Sequence, residues 1–478
     1  MTAGSGTARH LGELLLSALA TVSWAFLGMV GVAALSLHLM GADEVGALGP
    51  MTAAAVAMAV GGTVEPSGDL HVFGLRGAQA SSAVDIAPLG VSLVGALLLS
   101  WFFLRSLRGA GAVIGGGELA ARAGAVVLLF LLILGGLCWV GNDTVTIDSS
   151  TLGLGGTGRT GHGSLLDRLA GALGDLGDLG AGQLPDALAD LVRAKARVGY
   201  TVRTGRSLLG GVVWVLAVLL IALLASRRTP LPRGWEAVHR VVRPAVSALC
   251  AVLVLAVVAG IAAGLYAAIR DDRPGLVIGT ALLGAPNGVW LGVSLGLFVP
   301  WHGQATGALR QVLPDPLDQL LGAQEKERIT IGRLAELDSR VWLLVVASVL
   351  MVLAAGVLLA VRTPVPSRAG GGRAWGPYGF AGRCALRLGV ATALALPLVV
   401  WLTGLSAGAG LSVLGFDGFG STLDLQGSVP LAVLLGAGWG ALGGALGALL
   451  AWTTGVAGGQ VSPFARGEPV RQVRVTRR

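Results

Sequence analysis

Long apolar runs, separated by short polar segments, dominate the chain. A helix that crosses a bilayer needs about 20 predominantly apolar residues. Eight runs meet that requirement, at residues 11–40, 87–104, 123–140, 208–225, 245–269, 341–361, 388–405 and 429–452. Two further apolar stretches fit less simply. Residues 51–61 are too few to cross. Residues 276–301 are enough, but Pro286-Asn287 interrupts them with a missing backbone donor and a polar side chain. Shorter patterns lie between the runs. Val145-Thr146-Ile147-Asp148, Ile329-Thr330-Ile331, His71-Val72-Phe73, Val84-Asp85-Ile86 and Leu423-Asp424-Leu425 read as short strands. Leu165, Leu169, Leu173 and Leu176 recur at helical spacing, and Pro185 opens a second amphipathic stretch with Leu188, Leu191 and Val192. The pattern predicts an all-α polytopic transmembrane bundle of eight spans plus one broken or re-entrant segment, with strands and amphipathic helices in small external loops. Nine spans is the alternative, if residues 276–301 cross.

The positions of arginine choose between these topologies. Short loops rich in Arg stay in the cytoplasm. Arg105, Arg108 and Arg122 flank one loop; Arg227, Arg228, Arg233, Arg240 and Arg243 lie in another; Arg362, Arg368, Arg373, Arg383 and Arg387 lie in a third. Arg466, Arg471, Arg474, Arg477 and Arg478 mark the tail. All four clusters share a side only if residues 276–301 do not cross. The reading is therefore a multi-pass protein of a bacterial plasma membrane, a single integral membrane domain over residues 1–478. Both termini are expected in the cytoplasm, including a basic tail at 453–478, with external loops at 141–207 and 302–340.

Composition supports a lipid environment. Of 478 residues 54% are hydrophobic and 13% charged, and the mean hydropathy is +0.77. The net charge of +8 could indicate nucleic acid, but no basic stripe interleaved with aromatics is present, so anionic inner-leaflet lipid is the expected partner. Residues 11–40 are too long for the apolar core of a signal peptide and read as the first span. Cys138, Cys250 and Cys384 lie in or beside apolar runs without CxxC spacing, which fits buried thiols better than a disulfide or zinc site. Trp101, Trp139, Trp301, Trp342 and Trp452 fall at span ends, as in an interfacial aromatic belt.

Small residues give the most specific local signal. Gly436, Gly440, Gly444 and Ala448 fall on one helix face, as do Gly288, Gly292 and Gly296. Such faces let backbones approach closely in lipid, either within the chain or between copies in a homo-oligomer. A motif [AV]-P-x-[GA]-V-x-L starts at Ala87, Ala285 and Val429 and suggests a duplicated hairpin.

Candidate chemistry is sparse. His38 is the one ionisable residue well inside an apolar run; with Pro286 and Asn287 it is a candidate polar membrane site. Asp43-Glu44 could serve a metal or act as a base, as acidic pairs do in membrane glycosyltransferases that use polyprenyl-linked sugars, but no second acidic cluster accompanies it. Gly292-Val293-Ser294-Leu295-Gly296 matches G-x-S-x-G, yet it lies in an apolar segment without His or acid partners. No nucleotide, haem or HExxH motif is present, and no cofactor or metal is expected.

Residues 76–108 (RGAQASSAVDIAPLGVSLVGALLLSWFFLRSLR), 329–344 (ITIGRLAELDSRVWLL) and 378–388 (YGFAGRCALRL) resemble the streptophobe family, hydrophobic membrane proteins of high-GC filamentous bacteria. The likeness covers most of the spans and is weaker over residues 149–195 and after Val461. It implies a multi-span membrane protein and brings no activity or site residues with it. The expected role is non-enzymatic, in envelope scaffolding or assembly. A permease or channel for a neutral or lipidic substrate is the alternative.

Overall fold

A computed structural model describes residues 3–44, 46–69, 78–109, 115–141, 143–147, 196–227, 229, 235, 237–306, 327–365, 376–413 and 416–462. The expected strand at His71-Val72-Phe73, the amphipathic stretches from Leu165 to Val192 and the basic residues after 462 lie outside the described residues.

The elements fall into two halves. The first contains α1 (Ala3–Leu39), α2 (Leu48–Ala59), β1 (Val64–Asp69), β2 (Ala78–Asp85), α3 (Leu89–Gly109), α4 (Gly116–Val140), β3 (Asp143–Ile147), β4 (Ala196–Val202) and α5 (Thr204–Ala225). The second contains α6 (Arg243–Ala268), α7 (Pro274–Gly296), β5 (Trp301–Ala305), β6 (Glu327–Ile329), α8 (Ile331–Leu337), α9 (Trp342–Arg362), α10 (Pro377–Thr403), β7 (Leu405–Val413), β8 (Phe416–Gly427) and α11 (Val429–Thr453). Among the described residues nine helices, all but α2 and α8, are long and apolar enough to cross a membrane. Their outward side chains are apolar, with Leu128, Leu132, Leu209 and Leu394 each at least two-thirds exposed, as lipid contact requires. The protein is an all-α polytopic bundle carrying a small antiparallel sheet.

The sheet settles the course of the chain. All eight strands form one antiparallel sheet in the order β3-β4-β1-β2-β7-β8-β5-β6. One sheet can lie at only one end of the bundle, so every helix end that leads into a strand lies there. This is the sheet end. The opposite, tail end holds the starts of α4, α6 and α10 and the ends of α3, α5, α9 and α11. Contacts from Arg362 to Ser247 and from Arg387 to the Arg240 carbonyl place the start of α6 at that tail end.

Helix α7 leads into β5, yet it also begins at the sheet end. Its Gly275 and Gly279 pack on the backbone of Leu39 and Ser36 at the close of α1. Midway, Asn287 Nδ2 donates to Ala87 O (2.9 Å) and its Oδ1 accepts from the Leu89 N–H (3.1 Å) at the start of α3. Farther on, Gly296 meets Leu344 and Ser348 near the start of α9. So α7 enters from the sheet end and tilts into the bundle, with Val289 against Gly260 of α6 and Leu297 O accepting from Trp439 Nε1 (3.2 Å) of α11; the chain then turns back to β5 without crossing, and the other eight long helices cross. The segment does not break at Pro286; the helix runs through it. Proline deprives the Leu282 carbonyl of its helical donor. That carbonyl sits against Gly90, where a Cβ would overlap it. Residues 51–61, too short to span, form the buried helix α2.

The halves repeat each other. Their strand orders, β3-β4-β1-β2 and β7-β8-β5-β6, are one permutation taken twice. Buried positions coincide when the helices are aligned in register. Ser207, Gly211, Val215 and Leu219 of α5 match Ala432, Gly436, Gly440 and Gly444 of α11. Val126, Phe130 and Leu134 of α4 match Leu388, Thr392 and Leu396 of α10. Helix α2 ends as α7 does: the N–H groups of Gly61 and Gly62 bond to Met58 and Ala57, and those of Phe298 and Val299 bond to Leu295 and Ser294. The residue two past each helix is left-handed, Gly61 at φ 86° and Phe298 at φ 66°. The three Pro motifs fall on α3, α7 and α11, which are not equivalent elements, so they do not mark this duplication.

The expected small-residue faces are used unevenly. Gly436, Gly440 and Gly444 pack on Thr392, Leu388 and Cys384 of α10, while Gly443 and Gly447 pack on α9. This face is filled by its own chain, which leaves no room there for a second copy. Gly292 and Gly296 also pack within the chain, against α9, but Gly288 faces open space.

A candidate amphiphile groove between the halves

The two halves do not close on each other along their length. Between α3 and α5 on one side and α6 and α10 on the other runs a groove of about 2150 Å³. Thr63, Arg206, Ser406 and Gln426 line its sheet end, and Arg108, Arg227, Arg362 and Ser462 its tail end. It therefore extends through the whole apolar thickness of the bundle. Its wall is mostly apolar, and Leu209, Val213 and Trp401 on it are exposed, so it opens sideways toward lipid.

Polar groups interrupt the apolar wall. Trp214 Nε1 donates to Ser92 Oγ (2.8 Å), which ties α5 to α3. Three buried polar atoms of lining residues, Trp290 Nε1, Thr63 Oγ1 and Arg362 Nε, have no partner among the described residues. Leaving such a donor unpaired in an apolar setting costs about 1–3 kcal/mol. The charged lining residues are four arginines, with no carboxylate among the described residues. A groove with cationic mouths and apolar walls is complementary to an anionic amphiphile.

The tail-end mouth is laced from three segments. Arg362, at the end of α9, donates from Nη1 to Ser247 Oγ of α6 (3.1 Å). Arg227, just past α5, donates to the carbonyl of Gln460, whose own N–H bonds to Val361 O (3.0 Å). Ser462 Oγ donates to Arg227 O (2.7 Å). The residues after α11 thus fold back over the mouth. Nearby, fully buried Arg243 donates to Thr229 O (2.8 Å) and anchors the turn before α6.

No family model, curated protein or solved structure matches the chain. The site therefore has to be read from its own residues.

Most sequence candidates lie elsewhere and have structural work. His38 Nδ1 lies 2.9 Å from Asp43 Oδ2 in an exposed pair at the sheet end, away from the groove. Glu44 is exposed beside it, and among the described residues no three His, Cys, Asp or Glu side chains converge as a metal site would need. Ser294 is buried; it donates to Leu291 O and accepts from Trp301 Nε1 (2.9 Å), so the G-x-S-x-G match anchors a tryptophan. Trp301 is itself wholly buried on β5 rather than part of an interfacial belt, because pairing with β6 and β8 draws it under the sheet. Asn287 is spent on the start of α3. No disulfide joins the three cysteines; Cys138 and Cys384 are buried and Cys250 lies on the groove wall.

Sequence reasoning missed Arg227, Arg362, Ser247 and Trp290 as site residues. The two arginines read as topological signals, which any loop arginine does. A hint was available in that Arg362 directly abuts an apolar run. What it faces depends on α6, more than a hundred residues away.

Proposed function

We propose that this protein is a permease that binds amphiphilic, lipid-type molecules in the inter-half groove and lets them pass along it. The carrying observation is the groove's reach: it joins both ends of the bundle, is open at the side, and is lined by apolar residues. A scaffold would have no use for such a passage; sealing it would stabilise the bundle through dispersion contacts. Nothing in the site calls for bond-making chemistry, and the proposal is non-enzymatic.

We infer further that the tail end faces the cytoplasm of a bacterium and the sheet end the outside. Arg asymmetry supports this. The described tail-end helix termini and loops carry Arg105, Arg108, Arg122, Arg227, Arg240, Arg243, Arg362, Arg383 and Arg387 against Glu13 and Glu118. At the sheet end, Arg197, Arg203, Arg206, Arg270, Arg273, Arg328, Arg333 and Arg340 are outnumbered by carboxylates that include Asp43, Glu44, Glu65, Asp69, Asp85, Asp143, Asp271, Asp272, Glu327, Glu336, Asp338 and Asp424. Membership of the streptophobe family is proposed on the segments quoted above.

The test is reconstitution. In vesicles containing the purified protein, a fluorescent lipid should exchange between leaflets faster than in protein-free vesicles. Ala217→Trp, which fills the exposed wall at mid-groove, should abolish the excess. Exchange at the protein-free rate with folded protein present would remove the permease reading.

A further inference from the structure

We propose that Arg362 and Arg227 form a binding site for the phosphate of an anionic lipid at the tail-end mouth of the groove, with the acyl chains lying along the apolar wall. The proposal rests on the groove reading above and adds the headgroup it selects.

Three observations carry it. First, the two cations are held close together by the protein itself. Gln460 bonds through its N–H to Val361 and through its carbonyl to Arg227, so one residue links both arginines. Bringing like charges together at the edge of a low-dielectric region is unfavourable unless an anion joins them. Among the described residues no carboxylate lines the groove. Second, Arg362 is incompletely satisfied. Its Nη1 is aimed by Ser247, whose hydroxyl is in turn tied to Pro244 O (3.1 Å), while its Nε is buried without a partner among the described residues. A guanidinium fixed in this way has donors left for the two oxygens of a phosphate, in the planar geometry that favours Arg over Lys. Third, both arginines depart from the internal repeat. Helices α3 and α9 each have 21 residues, and Gly109 stands where Arg362 stands. Aligning α5 with α11 through Trp214 and Trp439 puts Trp452 opposite Arg227. The scaffold forms without these cations in its other half, so they are additions specific to this mouth.

The lipid source is favoured over free phosphate because the mouth continues directly into the apolar wall. The nearest such wall positions on α6, Cys250, Leu253 and Val254, follow Ser247 up the groove.

The test uses the full-length protein in neutral detergent, with native mass spectrometry counting bound lipid. Phosphatidylglycerol is compared with diacylglycerol of the same chains and with inorganic phosphate. Phosphatidylglycerol is expected to bind about tenfold more tightly than diacylglycerol. Arg362→Gln should remove that advantage, a tenfold change or ~1.4 kcal/mol, while leaving diacylglycerol binding unchanged. Arg340→Gln, outside the groove, should change neither. Equal affinity of the wild type for the two lipids would overturn the headgroup site without reference to any variant. So would inorganic phosphate binding that Arg362→Gln abolishes and that excludes neither lipid. The groove reading fails separately, if Ala217→Trp does not reduce diacylglycerol binding.

Discussion

Helix α11 carries two glycines, two residues apart, whose replacement by alanine should shift stability in opposite directions. A Cβ on Gly440 would lie 2.7 Å from Thr392 Oγ1 and 2.8 Å from Leu388 O. Neither atom can retreat easily. The carbonyl is backbone of α10, and the Thr392 hydroxyl is bonded to that same carbonyl at 2.8 Å. The added methyl group therefore has to push α10 and α11 apart, and overpacking of this kind costs about 1–3 kcal/mol. Gly438 is exposed, and a Cβ there meets nothing within 4 Å. Only the conformational term acts at that position, and alanine gains about 0.5–1 kcal/mol over glycine within a helix. Subtracting this gain from the strain leaves Gly440→Ala destabilised by up to about 2.5 kcal/mol, while Gly438→Ala is neutral or stabilised. Gly440→Leu should lose more than Gly440→Ala. The assay is unfolding in mixed micelles with increasing sodium dodecyl sulfate, followed by tryptophan fluorescence. Equal midpoints for Gly440→Leu and wild type, or a loss at Gly438 matching that at Gly440, would refute the packing argument.

Two other outcomes test the sheet end. Asn287→Leu should destabilise the protein by about 2–3 kcal/mol in the same assay, because two backbone groups at the start of α3 lose their partner and remain buried under α7; an unchanged midpoint would mean that water replaces the amide. Single cysteines at Asp272 and at Arg328, in a background lacking Cys138, Cys250 and Cys384, should both react with an impermeant thiol reagent on intact cells, since the chain enters α7 from the sheet end and returns there through β5; protection of one until lysis would show that α7 crosses.

The sequence by itself determined which segments enter lipid. Hydropathy is a sum over neighbouring residues, and the eight runs that cross in the structure are those that hydropathy and arginine placement select. The same local logic located the strands at Val145 and Leu423 and the close-packed face through Gly440, because period and residue size are properties of one element. Tertiary structure decided the rest. Residues 276–301 are apolar enough to cross, and only the pairing of β5 with β8, joined to strands from three other loops, holds the segments flanking α7 on one side. The duplication is carried by strand order and burial register, which the repeated Pro motif does not follow. Trp301 reads as interfacial until the sheet covers it. The groove is a space between elements, so no residue pattern encodes it directly. Arg362 acquires its setting from Ser247 on another helix and from residues beyond α11 folding back over the mouth. Each of these depends on contacts between segments far apart in the chain, and such contacts leave little trace in the local pattern that a single sequence displays.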